Sequence, residues 1–511
     1  MNNFTLPSID YAALSPLLIL FGAAAVGVLV EAVVPRQRRY GIQFGLSLVA
    51  VVAALAAVLA LAGTERVTAG GSVTVDGPAL FMQGMLMVVG VVALLLVGER
   101  SARVEAGGAF VAHPAITVGS LADHRQTKLP GLTEVYPLTL FSLGGMALFV
   151  AASDLLVMFV ALEVLSLPLY LMCALSRRRR LLSQEAAVKY FLLGAYASGF
   201  FLFGVAMVYG FAGSVDFDAI RNAVETSSIN PALLYVGLAL IVMGLLFKAA
   251  TAPFHVWIPD VYQGAPTPVT AFMAAGTKIA AFGALLRIAY VAVEPLADDW
   301  LPILGTIAVL TMMVGAVLAV TQTDIKRLLA YSWIANSGYV LVGVLVVGPE
   351  GAAATMFYLV AYGFAVLAAF GMVSLVRDRD GEATHLARWA GLGRSSPVLA
   401  GAFTLVMLAL AGIPLTAGFT AKFAVFGAAM SAGEVWLVVA GVISSVIIAF
   451  PYLRVVVMMW LSEPGASTAR FALPGGLTGI AVTLGVVMTL LLGVAPGPVL
   501  DLANTAATFL R

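Results

Sequence analysis

Residues 244–260 read "GLLFKAATAPFHVWIPD" and continue an oily run, "PALLYVGLALIVM". Lys248, Pro253 and His255 therefore fall where hydrocarbon is expected. A charge at that depth costs about 2.5–3.5 kcal/mol on insertion scales. A mid-helix proline removes a backbone hydrogen bond and clashes with the preceding turn. Three other charges share the setting: Glu163 in "LEVLSLPLYLM", Lys278 in "AAGTKIAAF" and Lys422 in "AGIPLTAGFTAKF". The chain has 21 arginines but six lysines, and four of those six, Lys189, Lys248, Lys278 and Lys422, lie in apolar segments. Arginine stays protonated in any protein site, whereas a buried lysine can lose its proton. Lysine is the choice where a charge must come and go, so the chemistry indicated is proton transfer.

Each residue has its own expectation. A permanent buried pair between Glu163 and Lys248 brings little net stability, because desolvation offsets the attraction. A pair that separates and re-forms does more: the nearby carboxylate holds the proton on Lys248, and its withdrawal lets the proton leave. Pro253 opens the helix and frees carbonyls that protein or internal water must satisfy. His255 titrates near neutrality and is suited either to relay a proton or to bond the broken backbone. Lys278 is central in its segment, without a basic neighbour in sequence and too deep to snorkel. Lys422 follows a second break, at Pro414, and suits a terminal donor facing the exit. Lys189, one turn inside its segment, fits snorkelling and proton uptake equally. Glu31 is similarly open to both readings, and Arg287 and Arg454, near segment ends, read as anchors.

The elements that must position these groups follow from composition. The 511 residues are 61% hydrophobic and only 10% charged, with mean hydropathy +1.03. Soluble chains carry about 25% charged residues. The fold class expected is an all-α polytopic membrane protein of about 14 spans: 11–34, 41–62, 78–98, 135–152, 154–175, 185–212, 232–262, 267–291, 300–321, 325–347, 351–376, 397–428, 434–461 and 474–497. The runs are long and lack period-2 alternation, which argues against strands. The N-terminus has no basic region of a signal peptide, so the first run is expected to be a retained helix.

Connections after odd-numbered segments carry Arg36, Arg38, Arg39, Arg100, Arg103, Arg125, Lys128, Arg177 to Arg180, Lys326, Arg327, Arg377, Arg379, Arg388, Arg394 and Arg470, 18 of 27 basic residues. The other side has Arg66, Arg221 and Arg511. The positive-inside rule makes the odd connections cytoplasmic and puts both termini outside a bacterial inner (plasma) membrane. The "RRRR" run then reads as a topology anchor.

Segments four to eight also correspond to nine to thirteen. "SDLLVMFVALEVL" matches "TDIKRLLAYSWIA", the break "AATAPFH" matches "LAGIPLTAGF", and "AFGALLR" matches "AFPYLR". Five helices per copy require opposite topologies, and inverted repeats with broken helices 7 and 12 point to a transporter whose site is near the midplane. The organisation expected is a three-helix segment at 1–98, a cytoplasmic surface loop at 99–134, repeats at 135–291 and 300–461, and a last helix and tail at 474–511. Glu163, Lys248 and Lys278 fall in the first repeat; Lys422 is the one lysine of the second in a span.

One cysteine, Cys173, and one histidine within a span, His255, exclude disulfides, cysteine-held iron–sulfur clusters and a bis-histidine haem within the chain. His113 and His124, in the 99–134 loop, read as solvated rather than as ligands. No Rossmann or P-loop pattern occurs. Any redox chemistry served belongs to other subunits, no cofactor or metal is expected in this chain, and nothing suggests nucleic acid.

The stretch "FKAATAPFHVWIPDVYQGAPTPVTAFMAAGTKIAAF", 247–282, resembles the antiporter-like membrane subunits of respiratory complex I, the NADH-quinone oxidoreductase. "PDVYQGAPTPVTAF", "LEVLSLPLYLM", "KYFLLGAYASGFFLFG" and "AGIPLTAGFTAKF" are similar to subunit N rather than L or M. The resemblance implies a proton-translocating membrane subunit with two half-channels, and a translocase role within that enzyme. Its key residues fall on Glu163, Lys248, Lys278 and Lys422, with Lys189, Pro253, His255 and Pro414 in support. The implied partners are small membrane subunits on the quinone-module side, subunit M on the other, and lipids. The alternative is a subunit of a multi-subunit cation/proton antiporter of the same fold. A scaffold that no longer pumps is disfavoured by the cost of four buried charges.

Overall fold

The computed structural model describes residues 9–101, 108–126, 129–227, 230–379, 381–465 and 469–510. Arg103, Glu105, Lys128 and Arg511 lie outside the described residues. Helices account for most of the chain. They are α1 (Ser15–Val33), α2 (Arg36–Ala60), α3 (Gly77–Val97), α4 (Leu121–Gln126), α5 (Val135–Phe149), α6 (Leu155–Cys173) and α7 (Arg180–Ala212). Next come α8 (Phe217–Thr226), α9 (Ala232–Lys248), α10 (Ile258–Gly264), α11 (Thr267–Arg287), α12 (Ala297–Val320), α13 (Ile325–Val344) and α14 (Pro349–Val373). The last six are α15 (Leu392–Ser395), α16 (Pro397–Ala411), α17 (Ala417–Ser431), α18 (Val435–Leu461), α19 (Gly476–Val494) and α20 (Gly497–Thr505).

Among the described residues, ten helices are long and apolar enough to cross a membrane; α5, α9 and α16 are apolar but shorter. Each expected segment carries a helix, and 232–262 and 397–428 each carry two, as their prolines require. Strands are confined to connections: a hairpin of Arg66–Thr68 with Val73–Val75, and Val376–Asp378 between Gly381–Glu382 and Arg470–Phe471.

The spans differ in what they face. α11 and α14 are wholly enclosed by other helices of the chain, whereas α1, α2, α18 and α19 leave most of their surface open. The two enclosed helices place Lys278 and its neighbours at the centre. Contacts recur at matching positions. Asp154 caps α6 by accepting from the Val157 amide at 2.7 Å, and Asp324 caps α13 through the Lys326 and Arg327 amides at 2.9 and 3.2 Å. Arg287 donates to the Val150 carbonyl at 3.0 Å, four residues before the first cap. Arg454 donates to the Val320 carbonyl at 3.0 Å, four before the second. Gly145 meets the backbone of Leu165 as Gly315 meets that of Ala335, and neither site has room for a methyl group.

Several charges expected at the surface are internal. Arg287 is 1% exposed and pairs with Asp76 through both oxygens, at 2.7 and 3.1 Å. It is a buried tie between α3 and α11, not an interfacial anchor. Glu31 accepts from Gln43 at 2.7 Å and Arg39 at 3.2 Å, which settles it as one side of a helix–helix bridge. The arginine run at 177–180 holds connections together. Arg177 donates to the carbonyls of Gly108 and Leu129 at 2.7 and 3.0 Å. Arg179 donates to Thr384 and the Glu382 carbonyl, both at 2.9 Å. Arg180 donates to Asp123 at 2.5 Å and the Pro114 carbonyl at 2.7 Å.

The described part of 99–134 is anchored to the body at 108–112, whereas 113–125 is mostly exposed. Phe110, Val111 and Ala112 are buried, and Val111 bonds the Leu175 carbonyl at 2.9 Å. His113 is exposed as expected, but its Nε2 meets the Arg36 guanidinium at 3.2 Å. Burial pushes the Asp123 carboxyl up, yet hydrogen bonds from the Gly119 amide, Gln126 and Arg180 outweigh it and hold it below the usual carboxylate range.

Candidate functional site

Lys248 is the last residue of α9. The helix stops because Ala250 takes a left-handed conformation (φ 56°) and Pro253 offers no amide donor. The groups freed there find protein partners. The Thr251 amide reaches the Leu246 carbonyl at 3.0 Å, the Trp257 indole donates to the Phe247 carbonyl at 3.1 Å, and Thr311 accepts from the Ala252 amide at 3.0 Å. The freed groups were expected to be satisfied by protein or internal water; Trp257, Thr251 and Thr311 supply protein partners, and the buried Nδ1 of His255 has no hydrogen-bond partner among the described residues. The backbone-bonding reading of His255 thus fails at that nitrogen. Pro253 itself is exposed.

Lys248 is 2% exposed, and among the described residues no carboxylate is within ion-pair distance of its ammonium group. Its Nζ is 3.4 Å from the Tyr190 hydroxyl, 5.0 Å from the centre of that ring and 5.3 Å from the Tyr170 ring. Tyr190 stacks on Trp257 with centroids 4.5 Å apart, so the residue that closes the break also builds the wall around the amine. Glu163 is half-buried on α6 and forms no ion pair, although its field reaches Lys248. Ser166 and Tyr170 lie on the same helical face as Glu163. The Tyr170 hydroxyl is buried without a partner, in a space left open by Gly194, whose missing side chain it occupies. The expected Glu163–Lys248 pair is therefore apart here, with two tyrosines beside the amine.

Lys278, 1% exposed, donates to the Trp333 carbonyl at 3.0 Å. Its Nζ is also 4.4 Å from the Trp333 ring and 4.0 Å from that of Tyr362. Trp333 occupies the position matching Glu163 in the other half of the chain. Where one half has a carboxylate, the other offers a carbonyl and an aromatic face to Lys278.

Lys422 on α17 donates to the Ala411 carbonyl at 3.1 Å, and its Nζ is 4.7 Å from the Tyr339 ring. That carbonyl is free because α16 ends at Gly412 (φ 87°), and the left-handed Leu415 (φ 69°) turns the chain past exposed Pro414. A methyl group at Gly412 would be only 3.2 Å from the lysine Nζ. A small cavity beside Lys422 also touches Asn336, Tyr358 and Tyr362. Asn336 accepts from Tyr358 at 2.5 Å and donates to the Ser332 carbonyl at 2.8 Å; Tyr452 bonds the Ser332 hydroxyl. Tyr362 thus touches both Lys278 and the cavity next to Lys422.

Lys189, with its side chain 41% exposed, is not free. It pairs with Glu185 and Asp260, each at 2.6 Å, and Arg327 meets the other Asp260 oxygen at 2.6 Å. Asp260 was not singled out in the sequence, though the "IPD" after a helix break marks it. Lys326 was counted as a loop charge. It is 2% exposed and donates to the Ala265 carbonyl at 2.7 Å, at the floor of a cleft that Arg179 and Glu382 also line. With Lys248, Lys278 and Lys422 it makes a fourth buried lysine. Tyr170, Tyr190, Tyr358 and Tyr362 were missed because tyrosine in an apolar run reads as packing. Among the described residues, no cluster of histidine, cysteine and carboxylate groups is arranged to hold a metal.

Residues 152–448 match the family model described as "NADH:quinone oxidoreductase/Mrp antiporter, TM". The NADH-quinone oxidoreductase subunit N of Salinispora arenicola is 66% identical over all of both chains. That of Rhodococcus opacus is 54% identical over 99% of this chain and 97% of its own. A chain in the structure of respiratory complex I from Thermus thermophilus with bound Aureothin is 34% identical, over 96% of this chain and 100% of that one, with a TM-score of 0.78. A chain of the Mrp complex from Dietzia sp. DQ12-45-1b has a TM-score of 0.80 over 98% of this chain and 97% of its own; at 22% identity it is a likeness of fold alone. With α-helical spans throughout, broken helices and a match along its whole length, the chain belongs to the antiporter-like membrane subunits of NADH-quinone oxidoreductase, in the subunit N family.

Proposed function

We propose that Glu163, Lys248, Lys278 and Lys422 carry protons through this subunit, driven by electron transfer in other subunits of complex I. The observation that carries the reading is the setting of the three lysines. Each is buried, each is held by neutral oxygens and aromatic rings, and among the described residues none has a carboxylate at ion-pair distance. Such an amine is poised between charged and neutral forms, so a modest change of field moves its proton. Glu163 supplies the changing field at Lys248. Tyr362, touching both Lys278 and the cavity at Lys422, supports a path between those two. Lys189 acts in this reading through Asp260 and Arg327, at the basic side of α7 and α10, rather than as an isolated donor. His255, with an unpartnered nitrogen, is kept as a relay beside the break.

The matching caps, arginine contacts and glycine approaches support reading 135–291 and 300–461 as inverted repeats, with 14 crossings in all. In that reading the basic connections are cytoplasmic, the termini outer and the membrane the bacterial plasma membrane. The redox cofactors belong to other subunits, and this chain holds none. Small membrane subunits adjoin it toward the quinone module and subunit M adjoins it on the other side. The antiporter alternative shares the fold; genes for NADH- and quinone-binding subunits beside this one decide between them. The test of the reading is Lys278→Met. Inverted vesicles should acidify severalfold more slowly at normal assembly, measured beside NADH oxidation. Unchanged acidification would remove Lys278 from the path.

A further inference from the structure

We infer that the cleft between the start of α2, Arg100 and residues 112–113 and 130–134 is a binding site for an anionic phosphate group, carried by a membrane phospholipid. The cleft is a cavity of ≈ 170 Å³ that Arg36, Arg39, Arg100 and His113 line from several sides. Its charge is only partly neutralised. Arg39 pairs with Glu31 at 3.2 Å, and Glu134 faces the cleft. Among the described residues, Arg36 and Arg100 form no ion pair. Arg36 donates to the carbonyls of Ala112 and Pro130 at 3.2 and 3.4 Å and meets His113 Nε2 at 3.2 Å. Arg100 donates to the Gly131 carbonyl at 3.1 Å and lies over the Tyr40 ring at 4.1 Å. Carbonyls and rings orient a guanidinium without cancelling its charge, and two forks around one cavity suit a phosphate.

The surroundings favour a lipid as the carrier. Arg39 opens a helical stripe on α2 that continues through Ile42 and Val49, which are 41% and 68% exposed. Leu29 and Val33 of α1, 63% and 80% exposed, flank the same end. An acyl chain along this surface would bring its headgroup to the arginines. Basic pockets beside helix ends are where anionic headgroups dock. The cleft is remote in sequence and in contacts from the lysine row, so the inference is independent of the proton-transfer reading.

The test compares intact complex carrying the wild-type chain with an Arg36→Gln/Arg100→Gln double variant. After equal detergent washing, native mass spectrometry counts retained phospholipid. The wild type should keep one more anionic phospholipid than the variant. Phosphatidylglycerol should refill the washed site at least severalfold better than phosphatidylcholine, and excess inorganic phosphate should not displace it. Arg38→Gln, exposed and outside the cleft, should behave as wild type, and NADH oxidation should be unchanged in all. Equal lipid counts, or equal refilling by phosphatidylcholine, would overturn the inference. So would displacement by inorganic phosphate, which would make the free anion the occupant, or a density map with a neighbouring subunit's acidic side chain in the cleft. If the double variant does not assemble, exposed Arg36→Gln alone carries the same comparison.

Discussion

A buried amine facing only hydroxyls, carbonyls and rings is costly to keep charged, and Lys248, Lys278 and Lys422 share that condition. A structural cation would have been given a carboxylate, as Arg287 was given Asp76. In the proposed reading this difference between Arg287 and the three lysines follows residue type: lysine where the charge is to change, arginine where it is to stay. In that proposed reading Glu163 acts on this scale through its charge. Glu163→Gln should slow pumping severalfold, whereas Glu163→Asp, which keeps the charge, should be milder; the readout is vesicle acidification per NADH oxidised. The Tyr170 hydroxyl gives a second handle. Gly194→Ala would drive a methyl group into it and disturb the wall beside Lys248. Pumping should fall at normal assembly, and pumping equal to wild type would show the wall to be mere packing.

Elements set these groups by where they stop. α9 ends at Lys248 because the chain cannot continue past Ala250 and Pro253, and Trp257 holds the loose end. Trp257→Phe keeps the ring but leaves the Phe247 carbonyl without its donor, a loss of about 1–3 kcal/mol for a buried group. The thermal transition of the purified complex should drop accordingly. The breaks and the helices were legible in the sequence, because apolar runs and prolines are strong local signals. The partners were not. Nothing local to "SRRRR" says that its arginines clamp 108–126, and nothing local to "TDIKR" says that Lys326 is buried under the chain near Ala265. Such facts depend on contacts between distant segments. Arg180→Ala should free the clamp and raise amide hydrogen exchange in 108–126. Acid should do the same. The Asp123 carboxyl titrates lower folded than unfolded, so its contribution is present above the ordinary carboxylate pKa and lost as pH falls through the lowered one.

At the scale of the molecule, two wholly enclosed helices, α11 and α14, run through a ring of helices that face outward. Lys278 on α11 meets Trp333 and Tyr362 from α13 and α14, so the centre of the chain is where its two halves touch. That junction was only half legible: the spacing from Asp324 set Trp333 against Glu163, nine residues after Asp154, but did not show that its carbonyl receives Lys278. The same scale bears on the division of labour within the complex. A chain with one cysteine and one histidine within its spans moves protons while electrons pass elsewhere. The purified subunit should show no haem or flavin absorbance and no stoichiometric iron, and finding any would overturn that division.

The central claim is that the lysines work by changing protonation, and Lys248→Arg tests it most directly. The variant keeps the positive charge and the contact with aromatic rings but will not release a proton at any accessible pH. Proton pumping by inverted vesicles should be lost or strongly reduced while the complex assembles normally. Pumping at the wild-type rate would contradict the account and make Lys248 a fixed counter-charge.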